Sequence, residues 1–243
     1  MSPRRAERKS GSARSSASVF KQWEKGVELA RGDYIWIAEA DDLAEPDFLS
    51  ALLGDMLDPS IVMAYCESKQ IDSSGGVLTE SYRDYTKDIS THRWMTSYRQ
   101  PGHVEIEQHL AIKNTVPNVS AVVFRRSALR AAIARERHLI GSFRVAGDWI
   151  IYLATLEAGD IVYLDKALNL HRRHTSSVTL GEDRGSHMLE ILRVQKLVQQ
   201  RYSIPGDVIR KAEEYAKILY GYFGLSSAQV AELTARLRDE VLH

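Results

Sequence analysis

A short apolar run, Tyr34-Ile35-Trp36-Ile37-Ala38, constrains the fold more than any other feature of this sequence. The run consists mainly of aromatic and β-branched residues and shows no alternation between polar and apolar positions. This pattern predicts a strand that is buried on both faces, as in a parallel sheet covered by helices on either side. An amphipathic helical stripe precedes the strand, with apolar residues at Phe20, Trp23, Val27 and Ala30.

Apolar runs and helical stripes alternate along the rest of the chain, which predicts an α/β fold with a mostly parallel sheet. Further strands are predicted at Ile61–Tyr65, Val119–Phe124, Ile161–Leu164 and Leu168–Leu170. Helices are predicted after Pro46, after Ser127, around Trp149 and Leu156, and at Glu105–Lys113, His187–Tyr202, Asp207–Tyr222 and Ser227–Val241. The polar and aromatic stretch Glu80–Gly102 shows no clean period and is interpreted as a long functional loop.

The composition excludes several classes of protein. The 243 residues include 32 basic and 32 acidic side chains, and a formal net charge of 0 argues against bulk attraction to nucleic acid. The single cysteine, Cys66, cannot form an internal disulfide or a Cys-rich zinc site, and we interpret it as a small core residue. No apolar run approaches the ~18 residues that a membrane-spanning helix needs.

Three carboxylates follow the predicted strand at Tyr34–Ala38, namely Glu39, Asp41 and Asp42. In open α/β sheets, ligands bind beyond the carboxyl ends of the strands. Hard oxygen ligands at such a place suit Mg²⁺ or Mn²⁺. The alternative is an acidic helix N-terminus, where Asp42 or Glu45 would interact favourably with the helix dipole.

Two further groups of residues could carry chemistry. Asp148 follows Gly147 at the predicted start of a helix, where it could be a general base or an ordinary N-cap. The segment His171-Arg172-Arg173-His174 follows a predicted strand. Its histidines could ligate a divalent metal and its arginines could clamp phosphate, or the segment could be a solvated strand end.

In their order along the chain, these motifs resemble the central part of family-2 glycosyltransferases, which have a GT-A fold. The acidic triplet stands in the position of the family's "DxD" motif, with Glu39 in place of the first Asp. Asn118-Val119-Ser120 and the strand after it continue the resemblance. Gly147-Asp148-Trp149 matches an "E-D-W" motif, with Gly147 in place of Glu, and His171 takes the Tyr position of a "Y-R-x-H" motif.

The resemblance implies inverting transfer of a sugar from a nucleotide-diphosphate donor to an acceptor hydroxyl. By this resemblance, Asp148 is the catalytic base, and Arg172 and Arg173 contact the donor. Mn²⁺ or Mg²⁺ would be held by Glu39, Asp41, Asp42 and His174. It also implies a carbohydrate or lipid-linked acceptor, a role in surface polysaccharide or glycolipid synthesis, and a cytoplasmic location with peripheral contact at the inner face of the membrane.

The resemblance also leads us to expect a truncation. In the family, strand–helix units with a "P-x-Y-N" strand end precede the acidic motif, whereas a basic, Ser-rich stretch stands there in this sequence. We therefore expect a disordered tail at 1–18, a partial GT-A core at 19–180 and a helical C-terminal extension at 181–243. The strand at Tyr34–Ala38 would then lie at a sheet edge that favours homodimer formation.

This expectation leaves open whether the chain is an active enzyme, because the missing strand–helix units would hold the nucleotide. The alternative function is an inactive remnant, or an interaction protein that retains only the metal and acceptor half. A nucleic-acid-binding role for the basic tail is disfavoured, because the tail contains no interleaved aromatic residues.

Overall fold

The computed structural model describes residues 19–173 and 184–240. Within these residues, seven strands form one sheet that is flanked by helices. The strands are β1 (Tyr34–Trp36), β2 (Leu43–Ala44), β3 (Ile61–Ile71), β4 (Val77–Thr79), β5 (Tyr98–Pro101), β6 (Val122–Arg125) and β7 (Asp160–Arg172). The α/β class predicted from the sequence is confirmed.

The helices lie on both faces of the sheet and continue beyond it. The α-helices are α1 (Val19–Leu29), α2 (Phe48–Met56), α3 (Arg83–Thr86), α4 (Gly102–Glu105), α5 (Arg126–Ile140), α6 (Gly147–Leu156), α7 (Arg184–Arg201), α8 (Gly206–Phe223) and α9 (Ser227–Asp239). Single turns of 3₁₀-helix form at Arg93–Met95 and Val119–Ala121, and a π-helix forms at Ile106–Leu110.

The direction of the strands corrects one prediction. The sheet has the order β1-β6-β3-β7-β2, with β4 paired to β3 and β5 paired to β7. Of these pairs only β3 and β7 run parallel, so the sheet is mostly antiparallel rather than mostly parallel. An apolar run reports burial on both faces, and antiparallel strands covered by helices on both sides produce the same pattern.

Several predicted boundaries shift by a few residues, and two predictions change in kind. The two short strands expected between Ile161 and Leu170 are one continuous strand, β7. The polar residues Asp165 and Lys166 suggest a turn, but the chain instead forms irregular pairing, with register shifts opposite Glu67 of β3. The expected loop at 80–102 contains α3, one 3₁₀ turn and β5, which pairs with β7.

The core has two parts, one on each face of the sheet. On one face, α2 packs through Phe48, Leu52 and Met56. On the other face, α1, α5 and α6 pack against the sheet together with residues of α7 and α8. β1 contributes to both parts, because Ile35 faces one cluster and Trp36 faces the other, as expected for alternating side chains on a strand. Cys66 is buried and unpaired, as predicted.

β1 lies at one end of the strand order and pairs only with β6 among the described strands. This edge position is the one that the sequence predicts for the strand.

The division into a core at 19–180 and an extension at 181–243 stays a prediction. Within the described residues, Gln195 of α7 donates from Nε2 to the carbonyl oxygens of Ile112, at 2.8 Å, and Ala212, at 3.1 Å.

Candidate active site

Three carboxylates cluster in the loop that joins β1 to β2. The ligand oxygens of Glu39, Asp41 and Asp42 lie within 4.8 Å of one another. Glu39 and Asp42 are half-buried, whereas Asp41 is exposed. The predicted cluster therefore forms just beyond the end of a strand and opens towards solvent on one side.

Ser120 fixes the first part of this loop. The backbone N–H of Glu39 donates to Ser120 Oγ at 3.0 Å. Trp36 Nε1 donates to the carbonyl oxygen of Ser120 at 2.8 Å. Ser120 is itself held by Asn118, whose Oδ1 accepts from the Ser120 N–H at 2.9 Å. These bonds tie the acidic loop to the turn before β6.

Asn118 and β7 together orient the Asp42 carboxylate. Asn118 Nδ2 donates to Asp42 Oδ2 at 3.0 Å and to Asn169 Oδ1 at 2.8 Å. The backbone N–H of Arg172 donates to Asp42 Oδ1 at 2.8 Å. Both carboxylate oxygens of Asp42 are therefore directed by hydrogen bonds from separate segments of the chain, which limits the orientations that the carboxylate can adopt.

The predicted donor-binding residues behave differently from one another. Arg172 donates from Nε to the Asp41 carbonyl oxygen at 2.7 Å and from Nη1 to the Asp72 carbonyl oxygen at 2.6 Å. Its guanidinium thus holds the acidic loop. Arg173 is half-buried and lines the cavity described below. His174, the fourth predicted metal ligand, lies outside the described residues.

The electrostatics of the acidic cluster favour a cation. Burial is the largest cause that raises the pKa of Glu39 to about 7, followed by the negative charges of Asp42 and Asp41. Carboxylates this close repel one another unless one is protonated or a cation neutralises them. A set of carboxylate oxygens is the donor set that Mg²⁺ and Mn²⁺ prefer, so the residues present fit a divalent metal.

Asp148 lies in the first turn of α6, but it is not the N-cap of that helix. The N-cap is Ala146, which provides no side-chain cap. Asp148 Oδ1 accepts from the Trp149 N–H at 2.8 Å, and Oδ2 accepts from Asn114 Nδ2 at 3.0 Å. Burial raises the pKa of Asp148 to about 7. A carboxylate with this pKa can accept a proton near neutral pH.

The two sets of carboxylates influence one another. The charge of Asp148 is among the causes that raise the pKa of Glu39. Tyr152, one helical turn after Asp148, is fully buried, and burial with the charges of Asp148 and Glu39 raises its pKa. The acidic cluster and Asp148 are therefore close enough for their charges to influence one another.

Packing against α1 explains the glycine before Asp148. A Cβ atom added at Gly147 would lie 2.5 Å from Cε2 of Phe20. Phe20 therefore occupies the space into which any larger side chain at position 147 would extend. The glycine that stands here in place of the Glu of the "E-D-W" motif thus has a structural cause, namely the close approach of α1 to α6.

Glu190 of α7 supports the loop that leads to Asp148. Its carboxylate accepts from three consecutive backbone N–H groups, those of Arg144 and Val145 at 2.8 Å and that of Ala146 at 2.9 Å. Glu190 is 7% exposed, so its carboxylate is largely removed from solvent. Sequence reasoning missed both Glu190 and Asn114, although an acidic residue between Leu189 and Ile191 in an apolar helix stripe could have indicated a buried partner.

A cavity of about 650 Å³ opens beside Asp148. Asp148, Asn114 and Trp149 line it, as do Tyr82 and Arg173. Residues of α8 form an apolar wall, which consists of Tyr215, Ile218, Leu219, Tyr222 and Phe223. This volume is within the ~300–1,000 Å³ typical of small-molecule sites.

His171 lies at the other end of the predicted histidine and arginine segment. Its Nδ1 is hydrogen bonded to the hydroxyl of Tyr82, and the two rings stack with centroids 5.7 Å apart. The backbone N–H of Tyr82 donates to Oε1 of the buried Glu67 at 2.9 Å. His171 therefore connects β7 to the segment before α3 through Tyr82, which lines the cavity.

Comparison with known proteins gives one positive result. Residues 19–132 match the family model described as glycosyl transferase family 2. This segment belongs to glycosyl transferase family 2. A search of curated proteins found no match.

The family 2 match spans the acidic cluster and the turn at Asn118–Ser120, and the resemblance predicted from the motifs is confirmed. The mixed α/β architecture fits this family. Asp148, Arg172, Arg173 and His174 lie beyond the matched residues, so their roles stay predictions. Within the described residues, no helix has the length and apolar character needed to cross a membrane.

Proposed function

We propose that this chain transfers a sugar from a nucleotide-diphosphate donor to an acceptor hydroxyl with inversion at the anomeric carbon. The observation that carries the proposal is the acidic cluster of a family 2 segment, which interacts electrostatically with a carboxylate in a separate cavity. One set of residues suits the diphosphate, and the other suits the acceptor.

In this proposal, Asp41, Glu39 and Asp42 hold Mn²⁺ or Mg²⁺, and His174 completes the predicted set. Such a cation supplies positive charge near the departing diphosphate. Asn118 and the Arg172 backbone N–H keep the Asp42 carboxylate oriented. Arg173 lines the cavity and is proposed to contact the sugar nucleotide. Arg172 is proposed to contact it through the guanidinium N–H groups that do not bond to the carbonyl oxygens of Asp41 and Asp72.

Asp148 is the proposed general base. Its ionised carboxylate accepts the proton of the acceptor hydroxyl while the acceptor oxygen forms a bond to the anomeric carbon. The bond from that carbon to the diphosphate oxygen breaks, and the electron pair leaves with the diphosphate. Asn114 directs Oδ2 of Asp148, and the Trp149 N–H directs Oδ1. Two fixed hydrogen bonds of this kind keep a base in one orientation.

The inactive remnant is not favoured as an alternative. The carboxylates of both proposed half-sites are held by specific hydrogen bonds, as in a working site. The proposed acceptor is a carbohydrate or a lipid-linked carbohydrate, and the proposed pathway is surface polysaccharide or glycolipid synthesis. The cytoplasmic location, the peripheral membrane contact and the homodimer through β1 stay predictions.

Turnover with a panel of donors tests the proposal. Uridine, guanosine and thymidine diphosphate sugars are incubated with the chain, Mn²⁺ and candidate acceptors, and release of nucleoside diphosphate is measured together with the anomeric configuration of the product. We expect Asp41→Asn to abolish turnover. Asp47→Asn, at an exposed residue outside the cluster, should leave turnover unchanged. Turnover with retained configuration, or equal loss in both variants, would contradict the proposal.

A further inference from the structure

Lys113 is buried in a segment that has no regular secondary structure. Residues 111–118, which join the π-helix to the turn before β6, form neither helix nor strand, and Lys113 is only 3% exposed. A lysine is almost never buried to this extent unless its ammonium group is paired. Burial of the charge costs free energy and lowers the pKa of Lys113. The next residue in the chain is Asn114, which donates to Asp148, so the contacts that hold Lys113 also bear on the proposed base.

The ammonium group of Lys113 is surrounded by protein acceptors. Its Nζ donates to the carbonyl oxygen of Tyr85 and to both carboxylate oxygens of Asp88, Oδ1 at 2.7 Å and Oδ2 at 2.9 Å. Nζ also lies 4.2 Å from the ring centroid of Tyr85 and 4.8 Å from that of Tyr215 in α8, distances at which an aromatic ring attracts a cation. These three acceptor oxygens match the three N–H donors of an ammonium group. Lys113 therefore joins its own segment to α3 and the residues just after it.

Tyr85 completes the connection to the proposed base. Its hydroxyl donates to the carbonyl oxygen of Asn114 at 2.9 Å. Asn114 Oδ1 accepts from the Val116 N–H at 3.1 Å, and Asn114 Nδ2 donates to Asp148 Oδ2 at 3.0 Å. Because Asn114 lies in neither a helix nor a strand, its backbone has no ladder of hydrogen bonds to hold it. The bonds made by Tyr85 and Lys113 therefore limit where the Asn114 amide can lie.

We infer that Tyr85 and Lys113 are positioning residues, which keep the Asn114 amide on the Asp148 carboxylate. Their effect on the rate of transfer rests on the proposed function, in which Asp148 is the base, whereas their effect on the Asp148 carboxyl does not. Both residues line the cavity, but the Nζ donors of Lys113 and the O–H of Tyr85 are directed at protein acceptors rather than into it. They therefore act on the reaction through Asn114.

Tyr85→Phe is the most direct test, because it removes the hydroxyl and keeps the ring that faces Lys113. The full chain is labelled with ¹³C at the aspartate side-chain carboxyls, and the Asp148 signal, assigned with Asp148→Asn, is followed by NMR through a pH titration. Burial raises the pKa of Asp148, and the hydrogen bond from Asn114 lowers it. We therefore expect Tyr85→Phe to raise this pKa above its value in the parent, and Lys113→Met to act in the same direction. The other groups that interact with the Asp148 carboxyl are unchanged in these variants, namely the Trp149 N–H, Glu190, Glu39 and Tyr152.

Matched controls separate positioning from a loss of stability. Tyr34→Phe also removes a hydroxyl that donates to a backbone carbonyl oxygen, that of Met56 at 2.9 Å, but it does so in β1. Lys196→Met removes a half-buried lysine whose Nζ donates to a backbone carbonyl oxygen just after α9 at 2.6 Å. Neither contact involves the 111–118 segment, so both controls should leave the pKa of Asp148 and kcat unchanged.

Steady-state kinetics provide a second readout that a purely structural role would not move. We expect Tyr85→Phe to lower kcat about tenfold or more, towards the ~10²-fold that a misplacement of about 1 Å can cost, and to leave the acceptor KM unchanged. Adding Tyr85→Phe to Asn114→Ala should lower kcat no further, because the two residues act through one contact. A raised acceptor KM with kcat retained would show that Tyr85 binds the substrate itself, and would overturn the inference.

The two readouts together separate this inference from the proposed function. If the parent turns over a donor but Tyr85→Phe changes neither the Asp148 pKa nor kcat, or changes them no more than Tyr34→Phe does, the inference is wrong and the proposed transfer survives. If the Asp148 carboxyl responds to Tyr85→Phe and Lys113→Met as expected but the parent turns over no donor, the positioning of Asp148 is supported and the proposed function is wrong.

Discussion

At the scale of single residues, Asp148 is held by two hydrogen bonds and has a pKa raised by burial. The same burial that disfavours its charge makes it a stronger proton acceptor than an exposed carboxylate. Glu39 shares this property, but it lies in a cluster of negative charge. The environments of the two residues therefore suit different roles, cation binding for Glu39 and proton transfer for Asp148.

The pH dependence of transfer is the prediction for Asp148. Its pKa is raised from 3.8 to about 7, so the carboxyl is mostly protonated below that pH and cannot accept a proton. We expect kcat to rise as the pH increases through about 7. Asp148→Asn should lower kcat by roughly 10²–10⁴-fold with the donor Kd unchanged, as measured by steady-state kinetics and calorimetry. A pH profile of the parent that is flat between about pH 5 and pH 9 would contradict the assignment.

Two asparagines provide a second prediction, because each supports a different carboxylate. Asn118 donates to Asp42, and Asn114 donates to Asp148. Asn118→Ala should weaken Mn²⁺ binding roughly 10–100-fold, as loss of a group that orients a metal ligand does, and should leave the pH profile in place. Asn114→Ala should displace the pH profile and preserve Mn²⁺ affinity. Calorimetry and pH–rate measurements on both variants check the pattern, and identical effects of the two changes would show that neither residue has a specific partner.

At the scale of elements, the contact between α1 and α6 determines what can precede Asp148. Gly147→Ala brings a Cβ atom to within 2.5 Å of Cε2 of Phe20, and overpacking of this kind costs about 1–3 kcal/mol. Gly26→Ala is the matched control, because a Cβ at that position in α1 meets nothing within 4 Å and should stabilise the helix slightly.

Denaturant unfolding of both glycine variants checks this prediction. Phe20→Leu should reduce the destabilisation caused by Gly147→Ala, because the smaller side chain leaves room for the added Cβ atom. If Gly147→Ala is as stable as the parent, the close contact between α1 and α6 does not control this position.

Elements with a local signal were predictable from the sequence, whereas features that depend on contacts between residues far apart in the chain were not. The run at Tyr34–Trp36 and the stripe of α1 were predictable from periodicity, and the acidic cluster was predictable from its position after a strand. Strand direction was not predictable, because burial on both faces does not distinguish parallel from antiparallel neighbours. Asn114, the partner of Asp148, and Glu190, which binds the loop before Asp148, were missed because both are far from that loop in sequence.

At the scale of the whole molecule, α7 stabilises the approach to the proposed base. Glu190 accepts from three consecutive backbone N–H groups, of which that of Ala146 would otherwise be buried without this partner. Glu190→Ala should lower the free energy of unfolding by about 1–3 kcal/mol. The exposed Glu213 of α8 serves as control, and Glu213→Ala should change stability by less than ~0.5 kcal/mol.

Thermal and denaturant unfolding of these two variants checks whether α7 and the loop before α6 behave as one unit. We expect a single transition for the parent and a lower midpoint for Glu190→Ala, with reduced kcat because the Asp148 loop is released. A separate early transition for the C-terminal helices, with kcat unaffected, would contradict this view.

The most direct test of the account is calorimetric titration of the full chain with uridine, guanosine and thymidine diphosphates in the presence and absence of Mn²⁺. We expect at least one nucleotide to bind only when Mn²⁺ is present, Asp41→Asn to abolish this binding, and Asp47→Asn to preserve it. Absence of binding by every nucleotide with Mn²⁺, or binding that depends on neither Mn²⁺ nor Asp41, would contradict the account.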